Sequence, residues 1–427
     1  MAFGAAVVNR LSWAAALRPH LNRPFVENMV NNRDLPAEFA LVAACCRWPP
    51  TSERRRSVAE TSQSTADWQR VLRIAARHRV SGLVAEGVRD AAIALPGAVA
   101  ARLAQEEARI ALHNVRSAAE THRLSQALAG DGIDVLVLKG VTLNLLAYGG
   151  LGLKESRDID LLVAPDAFAA ASRTLAACGY NRISPAPELD DAEAAAWMAR
   201  CKEAAWLHPS EGHLVELHVA LADNAAMIAG IGLESPRQRV DLGGGRTVET
   251  LADAELLAYL FLHGATHGWS RLKWLADVNA MLTTRSQDRI DAAYRAALAH
   301  GAGRGAAQGL LLCERLFGLD LGVALADELK ADSRTRYMVR VALDLIAGRF
   351  VETELDDSRF GTIPLHISHF FLQPGLKVKL GILSQKLRTP FSAGEGGRIP
   401  ILSSALSIPV WLWRRGRLMH KAARPRQ

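Results

Sequence analysis

The sequence has few aromatic residues, few cysteines and no long apolar run, and each shortage narrows the class of protein. Aromatics make up 6% of a chain that is 49% hydrophobic, which favours helix-rich packing of alanine and leucine. The five cysteines show no metal-ligand spacing, so we expect reduced thiols. No apolar run reaches the roughly 18 residues that would indicate a transmembrane helix. We therefore expect a cytoplasmic protein.

The net charge of +7 is concentrated at the C-terminus. Residues 376–427 contain eleven Lys or Arg and one acid, a charge of +10, which leaves −3 for the rest of the chain. The preceding region therefore lacks the basic balance of a nucleic-acid channel, which argues against a nucleic-acid partner. The basic segment places Trp411 and Trp413 beside Arg414 and Arg415. It could make peripheral contact with an anionic membrane or RNA, or form a last helix that packs its tryptophans on the core.

A chain of 427 residues exceeds what one hydrophobic core normally serves, so several domains are expected. Apolar periodicity and turn residues divide the chain into five segments. These are an N-terminal extension (1–36), a helical domain (37–130), a core with strands (131–250), a second helical domain (251–350) and a basic C-terminal segment (351–427).

Two acids lie close together in an apolar run, at Asp158 and Asp160. Strand residues alternate between faces, so both carboxylates point the same way. They repel each other unless a divalent cation lies between them, and Mg²⁺ prefers such oxygen ligands. We therefore expect that removing one carboxylate stabilises the metal-free protein. The alternative is an exposed strand end with two solvated acids.

The neighbouring segments add an anion site and a third carboxylate. Val135 to Leu138 predicts a buried strand that ends at Lys139 and Gly140, and a helix follows; a glycine at a helix start is suited to binding phosphate. Further on, residues 214–219 predict a strand that presents Glu216 and His218 on one face. A third carboxylate completes the set used in two-metal nucleotidyl transfer. His218 could be a ligand at the site, or could orient Glu216 through a hydrogen bond.

In combination, these motifs resemble the bacterial family of uncharacterised nucleotidyltransferases, within the superfamily of DNA polymerase beta. The resemblance implies an α+β fold, with a polymerase-beta-like mixed sheet core flanked by N- and C-terminal helical domains. The motifs that carry it are Leu138-Lys139-Gly140, Asp158-Ile159-Asp160-Leu161-Leu162-Val163, Gly179-Tyr180, Val215-Glu216-Leu217-His218 and His263-Gly264-Ala265-Thr266-His267-Gly268-Trp269.

The resemblance also implies an activity and roles for the residues. A nucleoside monophosphate would pass from a nucleoside triphosphate to a small-molecule, peptide or protein acceptor, with release of pyrophosphate. Asp158 and Asp160 would hold two Mg²⁺ (or Mn²⁺) ions, and Glu216 would bind the ion on the side of the nucleophile. Gly140 would bind the β- and γ-phosphates, and Lys139 would meet the charge of the leaving pyrophosphate. The usual serine after the glycine is Val141 here.

Further residues are predicted to bind the nucleotide: Arg157, His218, His263, His267, Arg271 and Lys273. His263 and His267 are four apart on a predicted helix and share a face. The sequence near them offers no third zinc ligand, which argues against a zinc site. The helix could cover the nucleotide, with the histidines on base or phosphate and Arg271 and Lys273 on the triphosphate. It could equally pack the helical domain on the core.

Two other functions remain open. One is a non-catalytic nucleotide-binding or partner-binding module that keeps the fold. Its usual mark is a broken carboxylate set, and here the set is complete. The other is a transferase that uses the same metal site to move a sugar from an activated donor.

Overall fold

A computed structural model describes residues 35–199, 201–348, 351–353, 362–372, 375 and 379–380. Within this part of the chain, a small mixed sheet lies between one group of helices that precedes it and another that follows it. The predicted α+β fold is confirmed. The predicted extension lies almost entirely outside the described residues, as do most of the basic segment and its two tryptophans.

The chain first forms a helical layer. Side-chain caps explain some of the helix starts: the Asp67 carboxylate accepts a hydrogen bond from the Arg70 amide, 2.9 Å away. The last helix of this group is 34 residues long and begins directly after Pro96, a residue tolerated at a helix start. The five helices are α1 (Ala37–Cys45), α2 (Ser52–Gln63), α3 (Trp68–His78), α4 (Ser81–Asp90) and α5 (Gly97–Gly130).

The central sheet has five strands in the order β1-β2-β5-β4-β3. Strands β2 and β5 run parallel and the other neighbours run antiparallel. The strands are β1 (Leu136–Val137), β2 (Asp158–Leu162), β3 (Asn181–Ser184), β4 (Glu203–Leu207) and β5 (Leu214–His218). Three helices connect them: α6 (Val141–Tyr148), α7 (Phe168–Ala177) and α8 (Asp191–Met198). A separate hairpin follows, formed by β6 (Arg237–Asp241) and β7 (Thr247–Leu251).

The second helical group packs against the sheet and the first group. Its helices are α9 (Asp253–Thr266), α10 (Leu272–Leu282), α11 (Gln287–Ala299), α12 (Gly303–Phe317), α13 (Val323–Ala331), α14 (Ser333–Ala347) and α15 (Thr362–Phe371). A buried polar network connects this group to the core. Asp277 on α10 accepts hydrogen bonds from the Tyr148 hydroxyl at 2.9 Å and from the Lys154 ammonium at 2.7 Å.

None of the helices among the described residues combines the length and the apolar character needed to cross a membrane. The sequence analysis predicted no such helix.

Candidate active site

The carboxylates meet on the two parallel strands at the centre of the sheet. The register of β2 and β5 pairs Asp160 with Glu216 and places Leu214 opposite Asp158. The Asp160 side chain is fully buried, whereas Asp158 and Glu216 remain 22% and 25% exposed. The site therefore has one buried carboxylate, Asp160, and two partly exposed carboxylates, Asp158 and Glu216.

Lys139 provides the positive charge of this site. Its ammonium donates a hydrogen bond to Asp160, and Nζ lies 3.6 Å from Asp158 Oδ2 and 3.8 Å from Glu216 Oε2. Burial lowers the pKa of Lys139, but the surrounding carboxylates raise it well above its ordinary value. The residue predicted to meet pyrophosphate therefore neutralises the carboxylates in the metal-free protein.

Burial also opposes the charge of Asp160, but its neighbours reverse the effect. Desolvation raises the pKa of Asp160, while the charge of Lys139 and the contact with His218 lower it, so the pKa lies well below its ordinary value. The interaction with two partners explains why a fully buried carboxylate stays ionised here.

His218 lies between the carboxylates and a further acid. Its Nε2 is 3.1 Å from Asp160 Oδ1 and 3.6 Å from Glu216 Oε2, and its Nδ1 is 3.3 Å from Glu203 Oε2. Burial lowers the pKa of His218, and the two carboxylates at Nε2 raise it, with a net increase. Glu203, the first residue of β4, is paired with His218 in the sheet register. The sequence analysis missed Glu203, because its only signal was a single acid before an apolar run.

The site suits a divalent cation. Asp160, Glu216 and His218 each offer a ligand atom, and these atoms lie within 4.8 Å of one another. Within the described part of the chain, the buried Asp160 Oδ2 has no hydrogen-bond partner, so it can serve as a ligand atom. Carboxylate oxygens suit Mg²⁺ and Mn²⁺, and an added imidazole extends the range to other divalent ions. Asp158, the third predicted metal ligand, is not part of this group and makes its contact with Lys139.

The loop at Gly140 approaches the start of β2. Gly140 has φ of +79° and precedes the first residue of α6. A Cβ at this position would lie 3.2 Å from the Asp158 carbonyl oxygen, so a side chain would be strained. Lys139, Gly140 and Asp158 line a small cavity of about 20 Å³, together with Lys273 and Trp274 from the second helical group. We call it the glycine-loop cavity.

Helix α9 carries His263, and the residue that caps its C-terminus is His267. His263 lines the glycine-loop cavity and also a second, larger cavity, whereas His267 lines only the larger one. The rings of His263 and His267 are 4.7 Å apart, and His267 stacks on Trp274 at 4.9 Å. The guanidinium of Arg271 lies 5.9 Å from the centre of the same Trp274 ring.

Lys273 is the predicted nucleotide ligand that joins Lys139 in the glycine-loop cavity. Burial lowers its pKa to about 7. Arg157 behaves differently: its side chain is 55% exposed, lies 3.8 Å from Glu155 and lines a separate groove. The structure therefore brings Lys139, Gly140, His218, His263 and Lys273 to the carboxylates or the adjoining cavity. The other predicted nucleotide ligands, Arg157, His267 and Arg271, do not line that cavity.

A mixed sheet with a glycine loop, three carboxylates and a flanking helical group defines a nucleotidyltransferase-type protein. The chain belongs to the family of uncharacterised nucleotidyltransferases, whose family model matches residues 64–318. This is the family that the motifs indicated, and it supports nucleotidyl transfer as the general activity. A comparison with curated proteins finds no match.

Proposed function

We propose that this protein is a nucleotidyltransferase that depends on a divalent metal ion and transfers a nucleoside monophosphate from a nucleoside triphosphate to an acceptor hydroxyl. The main support is the pairing of Asp160 with Glu216 across parallel strands, beside a glycine loop at the start of a helix. This chemistry needs acids and a site for phosphates, and the acids lie beside the glycine loop that we propose as the phosphate site.

Asp158, Asp160 and Glu216 are the proposed ligands of Mg²⁺ or Mn²⁺, with His218 close enough to join them. When bound, the metal would neutralise phosphate charge and polarise the phosphorus that is attacked. The chain itself supplies charge for the leaving group, because Lys139 and Lys273 line the same cavity as Gly140. The two lysine side chains would therefore lie beside β- and γ-phosphates bound outside this cavity, which at about 20 Å³ is too small to enclose them.

Glu216 is the proposed acceptor of the proton from the attacking hydroxyl. It is 25% exposed, so a substrate can reach it, unlike the buried Asp160. Burial and the nearby carboxylates raise the pKa of Glu216 above its ordinary value, although His218 lowers it in part. A carboxylate with a raised pKa accepts a proton more readily near neutral pH.

Calorimetric titration of the full chain with ATP, GTP, CTP, UTP and UDP-glucose, with and without Mg²⁺, tests the proposal. We expect one triphosphate to bind with Mg²⁺ dependence and to release pyrophosphate on turnover. Asp160→Asn should abolish release, and Asp166→Asn should not, because Asp166 is an exposed acid outside the site.

The rival functions give different results in the same titration. Nucleotide binding without Mg²⁺ dependence and without pyrophosphate release would indicate a non-catalytic binding module. Preference for UDP-glucose with release of UDP would indicate a sugar transferase. Either result would overturn the proposal.

A further inference from the structure

A cavity of about 390 Å³ lies at the opposite end of the central strands from the glycine loop. Lys202, just before β4, and the residues that follow β5 form one wall, and helices α9 and α15 contribute the others. Gly140 lies beside the first residue of β2. Since β2 and β5 are parallel, the loop after β5 lies at the other end. Asp160 and Glu216 are between the two.

This order along the strands matches the geometry of phosphoryl chemistry. In an in-line displacement, the attacking oxygen and the leaving oxygen lie on opposite sides of the phosphorus. If the leaving pyrophosphate lies at the glycine-loop cavity, the acceptor must approach from the other side of the carboxylates. The 390 Å³ cavity is on that side.

The cavity is connected to the carboxylates through two neighbours. His263 forms a wall of both cavities. Lys202 forms an ion pair with Glu203, and Glu203 Oε2 lies 3.3 Å from His218 Nδ1. Lys202, in the wall of the cavity, is therefore connected through Glu203 to His218, whose side chain contacts both Asp160 and Glu216.

The lining indicates which chemical class the cavity takes. Its permanently charged groups are the ammonium of Lys202, which pairs with Glu203, and the carboxylate of Asp223, and α15 adds the imidazoles of His366 and His369. Burial lowers the pKa of His263 and of His267, so both rings are neutral at pH 7. Asn224 and Thr266 offer uncharged polar groups. The permanent charges of Lys202 and Asp223 balance, so the lining has no excess of permanent positive charge for a phosphorylated acceptor.

The apolar part of the lining and the size of the cavity narrow the class further. Leu221, Met227, Leu262 and Leu372 supply an apolar surface beside the polar groups. A volume of about 390 Å³ is in the range of roughly 300–1,000 Å³ that is typical of small-molecule sites. It is too small for a polynucleotide strand.

We propose that this cavity is the acceptor site, and that the acceptor is an uncharged small molecule with a hydroxyl group and an apolar part. The inference rests on the proposed function. The acceptor oxygen forms a bond to the α-phosphorus, and the bond from the α-phosphorus to the bridging oxygen breaks. The electron pair of that bond leaves with pyrophosphate, and the hydroxyl proton passes to Glu216. The product is a nucleoside monophosphate ester of the acceptor.

Cavity-filling variants test the proposal. Thr266→Phe places a ring in the cavity from α9, and Asn224→Phe does so from the loop after β5. Thr284→Phe is the matched control, because Thr284 is exposed and lines none of the cavities described here. Each full-length variant is incubated with Mg²⁺, the triphosphate that binds and one probe acceptor: 1,6-hexanediol, 1,2-hexanediol or cyclohexanol. Glycerol and glycerol 3-phosphate form a separate pair that tests the effect of charge. Mass spectrometry measures the ester, and calorimetry measures nucleotide affinity.

We expect the wild type to form an ester with at least one probe. Both cavity variants should lower its yield about tenfold or more, while nucleotide affinity and release of pyrophosphate to water stay at the control level. Glycerol 3-phosphate should be a poorer acceptor than glycerol.

Each other outcome overturns the inference. Esters that form equally well in the cavity variants would place the acceptor elsewhere. The absence of any ester would contradict the proposed class of acceptor. Loss of nucleotide affinity would assign the cavity to the nucleotide. Preference for glycerol 3-phosphate would contradict the uncharged class. If the wild type shows no Mg²⁺-dependent nucleotide binding at all, the proposed function itself fails, and the inference fails with it.

Discussion

Lys139 donates a hydrogen bond to Asp160, so the metal-free site contains its own cation. The ammonium lies within 4 Å of all three carboxylates, which is the region that a divalent cation would occupy. A bound metal would therefore compete with the lysine for the same oxygen atoms. Displaced from them, Lys139 would become available to phosphates.

Replacing Lys139 with methionine should destabilise the metal-free protein by about 3 kcal/mol, because the buried Asp160 charge loses its main partner. Mg²⁺ should then restore more stability to the variant than it adds to the wild type, since the internal competitor is gone. Denaturant unfolding with and without MgCl₂ measures both effects.

Arg54→Met is the matched control for this prediction. Arg54 also forms a buried ion pair, with Glu86 in the first helical layer, and lines none of the cavities described here. The control variant should lose stability, and Mg²⁺ should not restore that stability. Equal rescue of both variants, or of neither, would contradict the competition at Lys139.

Asparagine substitutions at Asp160 and Asp158 should differ in their effect on stability. The sequence analysis expected a gain from removing either acid. Because Asp160 is fully buried and contacts both Lys139 and His218, Asp160→Asn should instead cost about 3 kcal/mol. Asp158 is partly exposed and 3.6 Å from the lysine, so its loss should cost less. Denaturant unfolding of both variants without metal measures the difference. If the Asp160→Asn protein is as stable as the wild type, repulsion between the Asp158 and Asp160 carboxylates dominates instead.

The sequence analysis considered only the repulsion between Asp158 and Asp160, because a sequence does not show that the Lys139 ammonium lies beside these acids. Strand alternation correctly put Asp158 and Asp160 on one face, and apolar periodicity correctly predicted Glu216 on a strand. Their pairing depends on the register of β2 and β5, which follows from packing on both sides of the sheet. The sequence also placed Lys139 beside Gly140, but the direction of a long side chain depends on its tertiary neighbours.

The larger cavity had no signal in the sequence. Its walls come from a loop after β5, the residue before β4 and two distant helices. These segments meet only after the second helical group packs on the sheet. The pair of histidines at the C-terminal end of α9 was recognised as a recurring motif, but whether it covered a nucleotide or packed the domain could not be decided. In the structure, His263 lies between two cavities, a position that periodicity alone cannot predict.

Lys273 should couple nucleotide binding to pH. Burial lowers its pKa to about 7; among its charged neighbours, Asp158 raises the pKa while Lys154, Arg79 and Lys139 lower it. A triphosphate in the glycine-loop cavity would raise it again. Above about pH 7, binding should therefore take up a proton, and affinity should fall as pH rises. Calorimetry in buffers of different ionisation enthalpy measures this uptake.

Lys273→Gln should remove the proton uptake and flatten the dependence of affinity on pH. Lys330→Gln is the control, since that lysine is exposed and pairs with Glu314 far along the second helical group. If proton uptake is the same in wild type and Lys273→Gln, another group is responsible, and Lys273 does not face the phosphates.

A substitution at Glu216 should separate the rate of the chemical step from the affinity for the nucleotide. It is the accessible partner of Asp160 in the register, and it lies on the side of the carboxylates that leads through His218 to the larger cavity. Glu216→Gln keeps the size and hydrogen bonding of the side chain but removes the charge that accepts the proton. Nucleotide affinity should therefore stay within a few-fold of the wild type, while the single-turnover rate falls by on the order of 10²-fold or more, as expected when an interaction of the transition state is lost. Both quantities are measured on the same preparation, with Glu211→Gln, at an exposed turn, as the control. A parallel loss of affinity and rate would mean that Glu216 holds the site together, and proton transfer would then have to be assigned to another group.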